Sequence, residues 1–352
     1  MNTTVDHKIG CSSSSRLRAQ EWVEVRSKDE ILATLDANGC YEGLPFMPEM
    51  FEYCGRRMQV SKRAHKTCDY VSNSGIRALP SAVHLENARC SGASHGGCDA
   101  RCLLYWKDVW LRPAEGAGEM SGLMSTRPSG TGQADEAAVM ERCTNGMGGD
   151  DLRYICQATL VPSFTTPLSW WNVGQFVEDY SSGNVRSFRD MLSSFTFRVY
   201  DNLINLGVGL GPGLRYLYNA VQRLRGGMPY PATSGPIAQG GRTPTLSLNL
   251  RPGDRVRVKT HDEILSTLDA SGRNRGMIFS QEMVPYCGKE FHVLGTVSRL
   301  VDEKTGKLIH LKNPCIILDG VICHARYLKN MLFCPRATFP YWREIWLERV
   351  DA

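Results

Sequence analysis

The feature that most constrains this chain of 352 residues is a pattern carried twice. Asp29-Glu30-Ile31-Leu32, Thr34-Leu35-Asp36-Ala37, Gly39, Gly43, Phe46, Glu49-Met50 and Tyr53-Cys54-Gly55 form the first instance. They return in unbroken register as Asp262-Glu263-Ile264-Leu265, Thr267-Leu268-Asp269-Ala270, Gly272, Gly276, Phe279, Glu282-Met283 and Tyr286-Cys287-Gly288. Each stretch closes on a related aromatic signature, Tyr105-Trp106-Lys107-Asp108-Val109-Trp110-Leu111 and Tyr341-Trp342-Arg343-Glu344-Ile345-Trp346-Leu347. Self-similarity of this extent marks two homologous domains, each of which must solve the same packing problem.

The totals bound the class. A hydrophobic share of 42% with 22% charged residues is that of a globular chain with room for two or three cores. The net charge of +5 is spread thinly and contains no basic block of the kind that forms a nucleic-acid arm. No apolar run reaches the roughly 18 to 20 residues needed to cross a bilayer, and the serine-rich stretch from Met1 to Arg18 lacks a secretory core. A cytoplasmic address is therefore expected. In a reducing compartment the thirteen cysteines read better as thiolate ligands or reactive thiols than as disulfides. Scattered Cys11, Cys143 and Cys156 require no role.

The expected fold is mainly β with an α-helical insert: two homologous small SH3-like β-barrel domains flanking a helical hairpin. Trp22-Val23-Glu24-Val25 and Arg255-Val256-Arg257-Val258 alternate with the period of a half-buried strand. Further strands follow at Arg57-Met58-Gln59-Val60 and from Glu290 to Val297, with Asp302 to Gly306 as hairpin-turn chemistry before Leu308-Ile309-His310-Leu311 and Cys315-Ile316-Ile317-Leu318. Residues 1–20 read as a disordered tail, 21–112 as the first barrel and 113–159 as a flexible linker. Residues 160–226 read as the hairpin, 227–250 as a second linker and 251–352 as the second barrel. Within the hairpin, Val185, Phe188, Met191, Leu192, Phe195, Val199, Leu203 and Ile204 recur at helical spacing, with Asn184 as a candidate cap, and a second helix spans Leu214 to Arg225. Its apolar face is expected to bury against a barrel or a second chain, with a membrane-surface role as the lesser reading.

The densest chemistry lies between Cys90 and Cys102, where three thiols and His95 fall within thirteen residues. Glycine-containing spacers let a loop wrap a tetrahedral ion, so Cys90, His95, Cys98 and Cys102, with Cys54, form the expected metal set for zinc or an iron-sulfur cluster. Cys54, Cys90 and Cys98 fall opposite Cys287, Cys323 and Cys334, and with His324 these make a weaker second set. The plainer alternative is that buried cysteine packs as a small hydrophobe, which applies most to Cys54 and Cys287. A Cys-His nucleophile is disfavoured, because adjacent Cys323 and His324 send their side chains apart. The tryptophans read as core, with Lys107-Asp108 and Arg343-Glu344 facing solvent. Asp29-Glu30 and Asp262-Glu263 read as helix-start motifs.

No nucleotide-loop, zincin or serine-hydrolase motif is present. The leading expectation is a cytoplasmic metal-binding tandem-domain accessory or scaffold protein whose partner is another protein or a further copy of itself. In general style the arrangement resembles small bacterial accessory proteins of biosynthetic loci. Two alternatives stand beside it: an enzyme or enzyme subunit using the first Cys/His cluster, and a nucleic-acid-binding protein.

Overall fold

The computed structural model describes residues 16–72, 74–114, 132, 134–145, 151–207 and 209–350. The chain is mainly antiparallel sheet with helical elements between two lobes. Cys11, most of the tail and about half of the first linker lie outside the described residues.

The first lobe begins with β1 (Trp22–Val25) and turns into a one-turn helix α1 (Lys28–Leu32). Ser27 caps that helix and Glu30 reaches back to the Ser27 backbone, a capping box that satisfies two otherwise orphaned amides. After a long loop come β2 (Arg57–Arg63), the small hairpin β3 (Lys66–Asp69) and β4 (Gly75–Ala78), then β5 (Ala82–Arg89), β6 (Leu103–Lys107) and β7 (Leu111–Pro113). The main sheet runs β6-β5-β2-β1-β7, so the last strand of the lobe returns to pair with the first.

Residues 136–225 supply α2 (Glu136–Glu141), α3 (Gly174–Ser181), α4 (Phe188–Ile204) and α5 (Gly211–Arg225). The second lobe then repeats the opening order with β8 (Arg255–Val258) and α6 (His261–Ser266), boxed by Thr260 and Glu263. It continues with β9 (Glu290–Val301), β10 (Leu308–Leu318) and β11 (Leu347–Arg349) in the sheet order β10-β9-β8-β11. Ile316 and Trp342 exchange backbone hydrogen bonds at the outer edge of β10, where β6 stands in the first lobe.

The aromatic signatures are core, as their spacing predicts. Trp106, Trp110, Trp342 and Trp346 are fully buried. Phe46 packs edge-on against Trp110 at 5.3 Å between ring centres, and Phe279 meets Trp346 at 5.5 Å. Trp110 Nε1 donates to Thr34 Oγ1 at 3.0 Å and Trp346 Nε1 to Thr267 Oγ1 at 2.9 Å, so the second indole of each signature has a partner, while the Nε1 of Trp106 and of Trp342 is buried without one among the described residues. The polar residues beside them do not all face water. Lys107 is buried, its ammonium on Glu42 and the Pro80 carbonyl, and Arg343 is buried across the carbonyls of Asn274, Arg275 and Asn313. Long cationic side chains can enter a core when carbonyls replace their water.

Other differences from the sequence reading have equally local causes. The expected linker of 113–159 carries α2, whose Val139 joins Cys143 in the first core. Asn184 does not cap α4. Ser187 does, and Asn184 instead exchanges two hydrogen bonds with the Arg63 backbone. In the second linker Tyr230 and Leu250 are buried. One side of α4 packs through Met191 on Phe176, Leu332 and Phe333 and through Phe197 on Tyr230, while Leu192, Val199 and Leu203 stay exposed. The joint between insert and first lobe is a fully buried ion pair, Lys66 Nζ to Asp179 at 2.5 Å, with the ammonium over the Phe176 ring.

The two lobes meet along a seam that is reciprocal. The β9–β10 hairpin receives the first lobe's Asp99, whose carboxylate accepts the N–H groups of Ser298 and Arg299 at 2.9 and 3.1 Å. The β3–β4 hairpin reaches the other way, placing Cys68 against Cys334. Arg89 stacks on Phe339 and donates to the Ala337 carbonyl, and buried Arg336 pairs with Glu303 while donating to the Cys68 carbonyl.

Replacing Thr34 or Thr267 by valine leaves a fully buried indole N–H without an acceptor, at a cost of about 1–3 kcal/mol each. Urea unfolding of the two variants should show comparable losses, and a change under 0.5 kcal/mol, about the scatter of surface substitutions, would show that the bond carries little.

Candidate metal centre

The stretch from Cys90 to Cys102 is an excursion between β5 and β6, closed at its base by the Cys90 N–H donating to the Cys102 carbonyl at 2.8 Å. It coils tightly because glycine sits where the backbone turns left-handed. Gly92 has φ of 76°, and a Cβ there would fall 2.0 Å from the Cys98 carbonyl oxygen. The coil raises a short 3-10 turn, Ala93–His95, that aims His95 inward until it is 1% exposed.

Opposite stands Glu49. It lies on the 3-10 turn Pro48–Tyr53, pressed into the lobe by Met50 and by Phe46 packed on Trp110. Glu49 Oε1 is 3.4 Å from His95 Nδ1, which in turn is 3.7 Å from Cys90 Sγ. The three ligand atoms fall within 4.8 Å of one another. Tetrahedral zinc, with bonds of about 2.3 Å to sulfur and about 2.0 Å to nitrogen and oxygen, separates its ligand atoms by about 3.5 Å for S and N and about 3.3 Å for N and O. The two distances from His95 Nδ1 are close to these values, and the group could hold a metal ion. Glu49 Oε2 and His95 Nε2 are buried without a hydrogen-bond partner among the described residues, which leaves donor capacity unused in a place where it is costly.

Electrostatics distinguish the apo groups. Burial pushes the Cys90 thiol far above its ordinary range, helped by the Glu49 carboxylate and Cys102. Burial also acts on Glu49, but the His95 hydrogen bond and charge and the Ser94 N–H bring its carboxyl below its usual value. The group thus pairs an ionised carboxylate with a protonated thiol.

Of the five residues expected in the first set, Cys90 and His95 come together. Cys98 and Cys102 line the adjoining cavity of about 30 Å³, with Cys156 and, across the seam, Val301 and Arg336. Cys98 Sγ accepts the Val301 N–H at 3.3 Å, so this thiol serves the seam. Burial pushes Cys102 up to about 12. Cys54 ends the Glu49 turn and packs at the edge of the first core. Cys156, given no role from sequence, reaches the cavity from the insert.

The second set is dispersed. Cys287 packs at the edge of its own core, His324 is exposed, and Cys323 and Cys334 join Cys68 in a separate apolar cluster. The residue matching Glu49 also differs in use: Glu282 is buried against the backbone N–H groups of residues 324, 326, 327 and 328. Amides take there the place that a thiol and an imidazole take in the first lobe. Sequence reasoning missed Glu49 as a ligand. The signal was its recurrence as Glu282 beside an apolar neighbour, an acid where a core residue was due.

No protein-family model, curated protein or solved structure matches the chain.

Gly92→Ala should disrupt this centre without touching a ligand. The added Cβ meets the Cys98 carbonyl, so a loss on the order of 2 kcal/mol with faster alkylation of Cys90 is expected. Unchanged stability and reactivity would mean that the loop tolerates another path.

Proposed function

We propose that the chain is a zinc-binding tandem protein built of two SH3-like lobes, with a structural metal held in the first lobe by Glu49, Cys90 and His95. The observation that carries this reading is the mutual spacing of those three buried atoms. Zinc is favoured over an iron-sulfur cluster because the close group offers one oxygen, one sulfur and one nitrogen, whereas such clusters are held by several thiolates. Cys98 and Cys102, which line the adjoining cavity, are the candidates for a fourth ligand. A bound ion would tie the thiol loop to the Glu49 turn, and through Asp99 and Cys98 would brace the face presented to the second lobe. The role is therefore binding and scaffolding, as an accessory to another protein.

A second reading has one observation of its own. Three protein ligands beside a cavity is also the layout of catalytic zinc, where water holds the fourth position. The cavity's volume of about 30 Å³ and its largely apolar lining favour the structural role, because a space of that size admits little more than water.

Metal analysis of protein purified without an affinity tag should find one zinc per chain, reduced at least tenfold in Cys90→Ser and in His95→Ala. Chelation should lower the thermal midpoint of the parent and leave those variants unmoved. Zinc in full stoichiometry in both variants would overturn the assignment, and turnover of any hydrolysable substrate lost on Glu49→Gln with the midpoint kept would move it to catalysis.

Binding must also displace the Cys90 proton. Because burial holds that thiol protonated throughout the neutral range, while Glu49 is already ionised, zinc affinity should rise with pH by about tenfold per unit between pH 6 and 8. Competition with a chromophoric chelator measures this, and a flat profile would exclude Cys90 as a ligand.

A further inference from the structure

A second sulfur site lies on the seam, apart from Glu49, Cys90 and His95. β3 carries Cys68 from the first lobe and the stretch after Phe333 carries Cys334 from the second, each 3% exposed. The Cys68 N–H donates to Cys334 Sγ at 3.1 Å. With an N–Cα bond of about 1.46 Å, that sulfur lies no more than about 4.6 Å from the Cys68 Cα, within the reach of a disulfide. The Cys68 thiol donates to the same sulfur, and so does the Arg336 N–H.

Three donors converging on one sulfur favour its anionic form. Burial alone would push Cys334 up, but the Cys68 thiol and the two backbone N–H groups bring it below its ordinary value. Cys68 moves the opposite way, raised first by the hydrogen bond it donates and then by burial. The positive charges of Lys62 and Arg336 act on the same thiols. A sulfur that accepts a backbone N–H, set against a second thiol within disulfide reach, is the layout of an attacking and a resolving cysteine.

We propose that Cys334, whose sulfur accepts the Cys68 N–H across the seam, reacts with hydrogen peroxide and that Cys68 resolves it, so that the pair closes a disulfide across the two lobes. The Cys334 sulfur attacks one peroxide oxygen, the O–O bond breaks, and a sulfenic acid forms as hydroxide leaves and takes a proton to become water. The Cys68 sulfur then attacks the sulfenic sulfur. The S–O bond breaks, the S–S bond forms, and the departing hydroxide leaves as a second water with the Cys68 proton. Two thiols are oxidised and one hydroperoxide is reduced. The near-complete burial of both sulfurs selects a small oxidant over a bulky disulfide. Cys323 shares the cluster but is held protonated, its thiol pushed up to about 12 by burial and by Glu282.

The test uses the full chain, reduced, desalted and treated with one equivalent of hydrogen peroxide. Remaining thiols are alkylated in denaturant and peptides are mapped by mass spectrometry. The expected result is a Cys68–Cys334 linked peptide as the main product among the thirteen cysteines. The thermal midpoint should rise by about 5 °C or more, because the link closes a very long loop, and a dithiol should reverse it. Recovery of both residues as alkylated thiols while other cysteines oxidise would overturn the proposal, as would a Cys323–Cys334 link. In Cys68→Ser, Cys334 should be trapped as a sulfenic acid by a 1,3-dione, and absence of that adduct in folded protein would count against it equally. If the variant does not fold, the map of the parent chain decides.

Discussion

The buried indole tied to a threonine is the constraint from which each lobe is built. Trp110 on Thr34 and Trp346 on Thr267 join the closing end of a sheet to the capped turn that follows its first strand. That bond spans the long loop that a sheet of short strands would otherwise leave loose. Phe46 and Phe279 then find a fixed aromatic wall to pack on, and the 3-10 turn that follows each of them inherits a fixed position. Glu49 is on that turn. Core packing therefore helps to set its approach to His95, and the hydrogen bond between the two side chains adds to it.

The same scaffold is put to different ends in the two lobes. Where the excursion of the first lobe coils on Gly92, Gly96 and Gly97, all with positive φ, it delivers an imidazole and a thiol to the acid. In the second lobe the corresponding stretch is longer and its amides surround Glu282. A buried carboxylate must be compensated, and amide donors, a partner base or a cation all serve. The same position in the repeated pattern thus holds an acid anchored by amides in one lobe and an acid beside an imidazole and a thiol in the other.

The seam gives the duplication its mechanical sense. Each lobe sends the connection between its second and third main strands across to the other's cysteine-bearing stretch: β3 and β4 toward Cys334, and the β9–β10 hairpin toward Cys98 and Asp99. Thiols at such a joint are shielded from bulk solvent and held in fixed relation to charged neighbours such as Arg336 and Glu303. Any chemistry at these sulfurs therefore reports on, or acts upon, the fit between the lobes.

Much of this was legible before any coordinates. The repeat, the strand at the head of each copy, the capping boxes and the buried tryptophans follow from residue pattern alone, because periodicity, capping and aromatic burial are short-range properties. The burial of Lys107 and Arg343 was not legible, since the carbonyls that solvate them come from distant loops. Neither was the regrouping of the cysteines. Composition and spacing placed thiols and a histidine in one loop, but which of them face one another depends on backbone turns at three glycines and on a surface contributed by the other lobe. Local sequence determined the two lobes and their cores; tertiary structure alone decided that Glu49 joins Cys90 and His95, and that Cys68 belongs with Cys334, because proximity across long separations is set by packing that no single stretch encodes.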